Sequence, residues 1–297
     1  MTWVLLAILG SISWSISNMI DEHLIKRVFA NPAGYIAITG MYSAITAAIF
    51  FLSGPVSLPD PLTLLLCLVT GALWLFLLLP YLQAMKIAGA PVVSPLWNLS
   101  SVTVAIAAYL VLHETLSGHD VLGMIFLIAS ALVATYTPKA RQVGHKVFGY
   151  MILASSMYTA ELLLEKTIYA RIGYHSGFTF VACGAFLMGL TLLVADRGAR
   201  QTIRANMSKG FLAINTLNEG FNQIGIIATT AAISLGPVSL VRAVGGLSPI
   251  YILLGTFIWV STHRKTKMTH LTKPLVARVI CAVVLAVAGL SLLQIDV

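Results

Sequence analysis

The chain has 297 residues, 58% of them hydrophobic and 9% charged, with a mean hydropathy of +0.92. An ordinary soluble domain carries about 25% charged residues, so this chain cannot clothe a water-facing surface of normal size. That excludes a soluble enzyme, a nucleic-acid module and a disordered protein. The net charge of +8 would suit a polynucleotide only if the bases gathered on one soluble face, and they do not. Cys67, Cys183 and Cys281 all fall inside apolar runs, an odd number with no paired spacing. They are expected to be buried, reduced thiols without a disulfide or metal framework.

A hydrocarbon core about 30 Å thick takes roughly 20 helical residues, and in lipid the backbone must satisfy its own hydrogen bonds. Apolar runs between Pro, Gly and charged breaks predict ten spanning helices. They lie near 3–28, 33–53, 62–88, 91–112, 118–137, 147–171, 177–195, 210–235, 239–261 and 275–294. Asn31-Pro32, Gly54-Pro55 and Gly236-Pro237 act as stops. Met1-Thr2-Trp3 offers no basic n-region and no small-residue cleavage site follows, so the first segment reads as retained.

Lys and Arg set the orientation. The odd-numbered connections and their helix ends hold Lys26, Arg27, Lys86, Lys139, Arg141, Lys146, Arg197, Arg200, Arg204, Lys209, Arg264, Lys265, Lys267, Lys273 and Arg278, whereas the other face has Lys166, Arg171 and Arg242. The odd connections are therefore expected in the cytoplasm and both termini outside it. The multi-pass protein is placed in the inner or plasma membrane, its basic face meeting anionic headgroups and no nucleic acid.

The chain also overlays on itself. A shift of 143 residues sets Ser13 on Ser156, Asn18 on Glu161, Glu22 on Glu165 and Gly34 on Gly177, and a shift of 148 sets Ala84 on Ala232 and Ser100 on Ser248. Units of five spans invert one another, the usual plan of secondary transporters with a site near the midplane. The expected fold is all-α and integral to the membrane, with a first repeat over 1–138 and a second, inverted one over 139–297.

The stretch Tyr81-Leu-Gln-Ala-Met-Lys-Ile-Ala-Gly-Ala-Pro91, followed by Leu112-His-Glu114-Thr-Leu-Ser and Gly123, resembles the EamA-type repeat of the drug/metabolite transporter superfamily. Ala232 through Ser239 and Leu247-Ser248-Pro249-Ile250 echo it. Ser101 stands where the first repeat usually has proline, and Thr262 where the second would have the turn glutamate. The resemblance implies ten helices, two inverted units and transport by alternating access, commonly efflux, without specifying a substrate.

An ionisable side chain at mid-membrane costs about 2.5–3.5 kcal/mol on insertion scales. The eighth segment carries Asn215, Asn218, Glu219, Asn222 and Gln223 at helical spacing, a face about 140° wide and about 12 Å long. Such a stripe is expected to line a wet cavity, the alternative being hydrogen-bonded packing between helices. The first segment repeats the theme with Ser11, Ser15, Asn18 and Glu22, Asp21 beside them and Trp14 at the edge. The sixth offers Tyr158, Glu161 and Glu165, with Lys166 near enough to neutralise an acid.

The fourth segment places Trp97 and Asn98 beside Pro95. The ninth places Arg242 in its first turns, where the helix dipole adds positive potential, ahead of Gly245-Gly246. Arg242 reads either as a bidentate grip on an anion or as the ion-pair partner of Glu219. His113-Glu114 and His119-Asp120 form a polar turn without metal-site spacing. Neither an ATP-binding loop nor a nucleophile–base pair stands out, so an enzyme with a cofactor is not expected.

The resulting expectation is a secondary transporter, exporting a small polar or amphipathic metabolite such as an amino acid or amine. Asn215, Asn218, Glu219, Asn222, Arg242, Trp97, Asn98, Asn18 and Tyr158 would bind it. Glu219, Glu161, Glu165 and Glu22 are candidates for coupling to protons, since buried acids serve as proton relays. A flippase for a lipid-linked carrier and a non-transporting receptor or scaffold stay open, as does a monomer or homodimer.

Overall fold

The computed structural model describes residues 2–29, 31–89, 93, 96–97, 100–135, 144–206, 208–248, 250–252, 254 and 273–293. Among these the regular elements are helices: α1 (Thr2–Arg27), α2 (Pro32–Ser53), α3 (Pro61–Ala88), α4 (Ser100–Leu112), α5 (Gly118–Thr135), α6 (His145–Ile172), α7 (Tyr174–Ala195), α8 (Arg197–Asn206), α9 (Lys209–Leu235), α10 (Val238–Gly245) and α11 (Lys273–Leu292). α1, α2, α3, α6 and α7 are long and apolar enough to cross a membrane. α9 is as long, but its amides lower its hydropathy.

Capping chemistry fixes several boundaries. Asn31 accepts from Ala33 N at 3.0 Å ahead of Pro32, and Asp60 Oδ1 accepts from the amides of Leu62 and Thr63 at 3.1 Å ahead of Pro61. Proline at the first helical position gives up only an N–H that has no partner there. The Thr63 side chain and amide and the Leu62 amide hold the Asp60 carboxyl below the usual carboxylate range. Sequence reasoning took the stretch between α7 and α9 as loop, but it contains the amphipathic helix α8. Asp196 caps that helix through Ala199 N at 3.0 Å and accepts from Asn31 Nδ2 at 3.0 Å. Arg200 turns back to donate to the carbonyls of Leu193 and Val194 at the end of α7.

The two halves of the chain interleave. α1 packs along α9, α2 along α7, α3 along both α6 and α7, α4 on α6, and α5 on α11. α2 and α7 approach backbone to backbone, so a Cβ on Gly40 would sit 2.6 Å from Gly189 Cα. Small residues at such crossings replace the missing hydrophobic drive between helices in lipid. The outer surface is apolar, with Leu5, Ile49, Leu65, Ile106, Leu217 and Val287 exposed. The interior joins Leu77, Val104, Ile168, Phe178, Ile233 and Val241 in one cluster. Cys67 is buried as expected, but Cys183 is only half-buried and Cys281 is exposed on the apolar exterior of α11.

Candidate functional site

Two cavities lie inside the bundle and share a wall. The first is bordered by Asn18, Asp21, Trp97, Asn222, Arg242 and Ser248 among others. The second is smaller and is bordered by Glu161, Glu165, Phe178, Gln223, Thr229 and Thr230 among others. Trp14, Trp74 and Tyr158 border both. Their rings form a ladder, with Trp14 and Trp74 centroids 6.1 Å apart, Trp74 and Tyr158 6.2 Å, and Tyr158 and Trp97 5.0 Å. Gly225 on α9 makes room for the ladder's end, since a Cβ there would come within 2.5 Å of the Trp14 ring.

Arg242 is the buried cation of the first chamber. Its Nε donates to Ser100 Oγ at 2.9 Å and Nη2 to the Trp97 carbonyl at 3.1 Å. Its guanidinium carbon stands 5.4 Å from the Tyr158 ring centroid and 6.0 Å from that of Trp97. Each such cation–π contact contributes about 0.5–2 kcal/mol, less than the cost of burying an unpaired charge. No carboxylate pairs with Arg242 among the described residues, and Glu219 bonds elsewhere. The first turn beneath it is held by Glu114, which accepts from Val238 N at 2.7 Å and from Ser239 Oγ at 2.5 Å. The polar turn between α4 and α5 thus supplies the N-terminal cap of α10, the helix that carries Arg242.

The acid facing Arg242's chamber is Asp21. Tyr35 donates to Asp21 Oδ1 at 2.5 Å and Asn218 Nδ2 donates to the same oxygen at 2.7 Å. Asn218 accepts in turn from Ser17 Oγ at 3.0 Å. Glu219 points to α2, accepting from Thr39 Oγ1 at 2.6 Å and from Asn222 Nδ2 at 3.2 Å. Asn218 and Glu219 are both fully buried, and neither borders a cavity.

The eighth segment's polar stripe therefore divides by position. Asn222 faces the first chamber and Gln223 the second, whereas Asn218 and Glu219 tie α9 to α1 and α2. Asn215 is buried with its Oδ1 unpartnered, away from both chambers. Asn18, Trp97 and Tyr158 stand where a chamber residue is expected. Glu161 and Glu165 border the second chamber instead. Lys166 does not neutralise them, because its Nζ donates to the carbonyls of Ile233 at 2.8 Å and Gly236 at 2.7 Å at the end of α9. Ser11 and Ser15 spend their hydroxyls on Gly245 O at 3.1 Å and Ser248 O at 3.0 Å, where the backbone turns after α10. Asn98 and the Glu22 side chain lie outside the described residues.

Asp21, Tyr35 and Trp74 border the first chamber although none of them is among the expected binding residues. The i, i+4 relation of Ser17 to Asp21 on α1 was the available signal for the first.

A profile of the EamA-like transporter family matches residues 1–136. An uncharacterized transporter encoded in the cobO 3′ region of a Sinorhizobium species is 33% identical over 134 residues, 44% of this chain and 92% of that protein. A solved crystal structure superposes with a TM-score of 0.68 at 16% identity, covering 99% of each chain, a likeness of fold.

Proposed function

The chain belongs to the EamA-like transporter family, and from that premise we propose that it exports a small amphipathic amino acid by alternating access between two inverted five-helix repeats. The observation that carries the substrate class is Arg242, a buried guanidinium that borders a chamber and has no carboxylate partner among the described residues. A ligand carboxylate would complete its fork. Asp21, bordering the same chamber, suits the ligand's ammonium, and Trp97, Tyr158 and Trp74 suit an apolar side chain.

Exchange symmetry supports the two-repeat arrangement. Swapping the halves turns the α1–α9 contact into the α6–α3 contact and leaves the α2–α7 and α5–α11 contacts in place. Loading from the cytoplasm is supported by the chamber's position. Asp21 lies late in α1, Tyr35 early in α2 and Tyr81 late in α3, on the side of the basic connections. Both termini would then lie outside the cytoplasm. For proton coupling the chamber offers Asp21 in preference to Glu219, whose carboxylate is enclosed by Thr39 and Asn222. Asn218 positions that acid, and Asn18 and Asn222 replace ligand hydration.

A lipid-linked cargo would need Arg242 to be reached from the bilayer. The outer groove of about 450 Å³ between α4 and α6, around Thr103, Phe148 and Ser156, shares no bordering residue with the Arg242 chamber, so the amino acid reading is preferred.

The test is thermal stabilisation of the purified protein by phenylalanine, phenylacetate and phenethylamine. Ligand at 100 times its dissociation constant adds about 2.7 kcal/mol. Phenylalanine is expected to stabilise most, and Arg242→Gln to erase its advantage over phenethylamine. Equal responses in wild type and Arg242→Gln would remove the carboxylate site.

A further inference from the structure

The second chamber is not needed for the carboxylate reading, and its chemistry differs. Six buried side-chain polar atoms lack a hydrogen-bond partner among the described residues, and four of them belong to residues bordering this one space: Glu161 Oε2, Glu165 Oε2, Gln223 Nε2 and Trp74 Nε1. Burying a polar group without a partner is unfavourable. Four such groups around one void mark a place where something else completes them.

The donor and acceptor pattern narrows what that is. Glu161 and Glu165 are 3% and 2% exposed and lie one helical turn apart on α6. The other oxygen of Glu165 is already engaged by Tyr169 Oη at 2.9 Å. The cation nearest in sequence, Lys166, is turned to the end of α9, and Arg242 borders the first chamber rather than this one. A bare metal ion would satisfy the carboxyl oxygens and leave the amide and indole N–H groups orphaned. Nor does any group of three His, Cys, Asp or Glu stand together among the described residues. A ligand that both donates and accepts would complete all four groups, and the aromatic faces of Trp14, Trp74 and Tyr158 favour a positive charge.

We infer that the chamber between α3, α6 and α9 is a second binding site, for a small organic ammonium that carries an acceptor oxygen. The ammonium sits between the outer oxygens of Glu161 and Glu165, and the oxygen takes an N–H of Trp74 or of the Gln223 amide.

The probe is ethanolamine, compared with ethylammonium, which lacks the oxygen, ethylene glycol, which lacks the charge, and glycine, which carries its acceptor as a carboxylate. Ethanolamine is expected to raise the apparent melting temperature of the purified wild-type protein. Ethylammonium should bind about fivefold more weakly, the worth of one net hydrogen bond, and ethylene glycol should give no shift. Glycine binding as well as ethanolamine extends the site to amino acids, and weaker binding confines it to amino alcohols.

Glu161→Gln combined with Glu165→Gln should abolish the ethanolamine response, and Arg242→Gln should leave it intact while erasing the advantage of phenylalanine over phenethylamine. That contrast separates a failure of this site from a failure of the Arg242 chamber. Should the double variant not fold, the wild type decides. Labelling of Glu161 and Glu165 by dicyclohexylcarbodiimide, read by peptide mass spectrometry, should slow about fivefold or more under saturating ethanolamine, as expected when ligand occupies most sites. The inference is overturned by an ethanolamine shift that persists in the double variant, or by absence of both the shift and the protection in wild type.

Discussion

Asn218 reaches from α9 to α1 and donates to Asp21 Oδ1 at 2.7 Å, so a residue that never meets the chamber sets the position of one that does. The same amide nitrogen lies 3.2 Å from Tyr35 Oη, which also donates to Asp21. Replacing Asn218 by Leu removes one of two donors to a buried carboxylate and leaves Ser17 without its acceptor. An unsatisfied buried group costs about 1–3 kcal/mol. The expected result is a lower apparent melting temperature in detergent, with ligand-induced stabilisation reduced alongside it. Unchanged values for both would show that Asp21 is held without this amide.

Arg242→Lys tests geometry with the charge kept. Lysine is a point charge, without the planar fork that spans Ser100 Oγ and the Trp97 carbonyl or stacks on Tyr158. Phenylalanine affinity should fall about tenfold or more, equivalent to about 1.4 kcal/mol. Isothermal titration of the two proteins measures it.

Glu114→Gln should weaken the cap of α10 without touching any chamber residue directly. The variant keeps one acceptor oxygen in place of a carboxylate that now takes Val238 N, Ser239 N and Ser239 Oγ. Loss of a helix cap costs about 0.5–2 kcal/mol. Apparent stability should drop by that amount and phenylalanine binding should weaken with it, because Arg242 stands one turn further along. Lost stability with intact binding would dissociate the cap from the site.

Gly40→Val should be poorly tolerated. A Cβ at Gly40 meets Gly189 Cα at 2.6 Å and the Ala185 carbonyl at 3.0 Å, atoms of a helix that cannot give way as a flexible side chain would. Overpacking costs about 1–3 kcal/mol and sometimes more. Loss of monodisperse protein on size-exclusion chromatography is the expected readout, with Gly149→Val, at a position with open space around it, as the tolerated comparison.

Helix positions were legible because hydropathy and stop residues act locally. Pro61 and Pro32 begin helices as expected, Gly236-Pro237 separates α9 from α10, and most boundaries fall within three residues. α8 was hidden because a ten-residue stretch carrying Arg197, Arg200 and Arg204 reads as a connection, and its amphipathicity counts only once a neighbouring helix end and a bilayer surface meet it. Within the site, periodicity identified the inward stripe of α9 but not which of its residues meet space and which meet another helix. That division depends on neighbours far along the chain. Thr39 takes Glu219 and Thr46 takes Gln223 Oε1 at 2.9 Å. Arg242 was legible as an anomaly in its segment, but its lack of an acid could be seen only in three dimensions.

Trp14, Trp74 and Tyr158 border both internal spaces, so a solute travelling from one to the other would move against these rings. Passage would then be timed by the rotation of a packed indole or phenol, and the opening would sort molecules by girth whatever their affinity. Two of the three rings are tryptophans, which gives the doorway its own fluorescence.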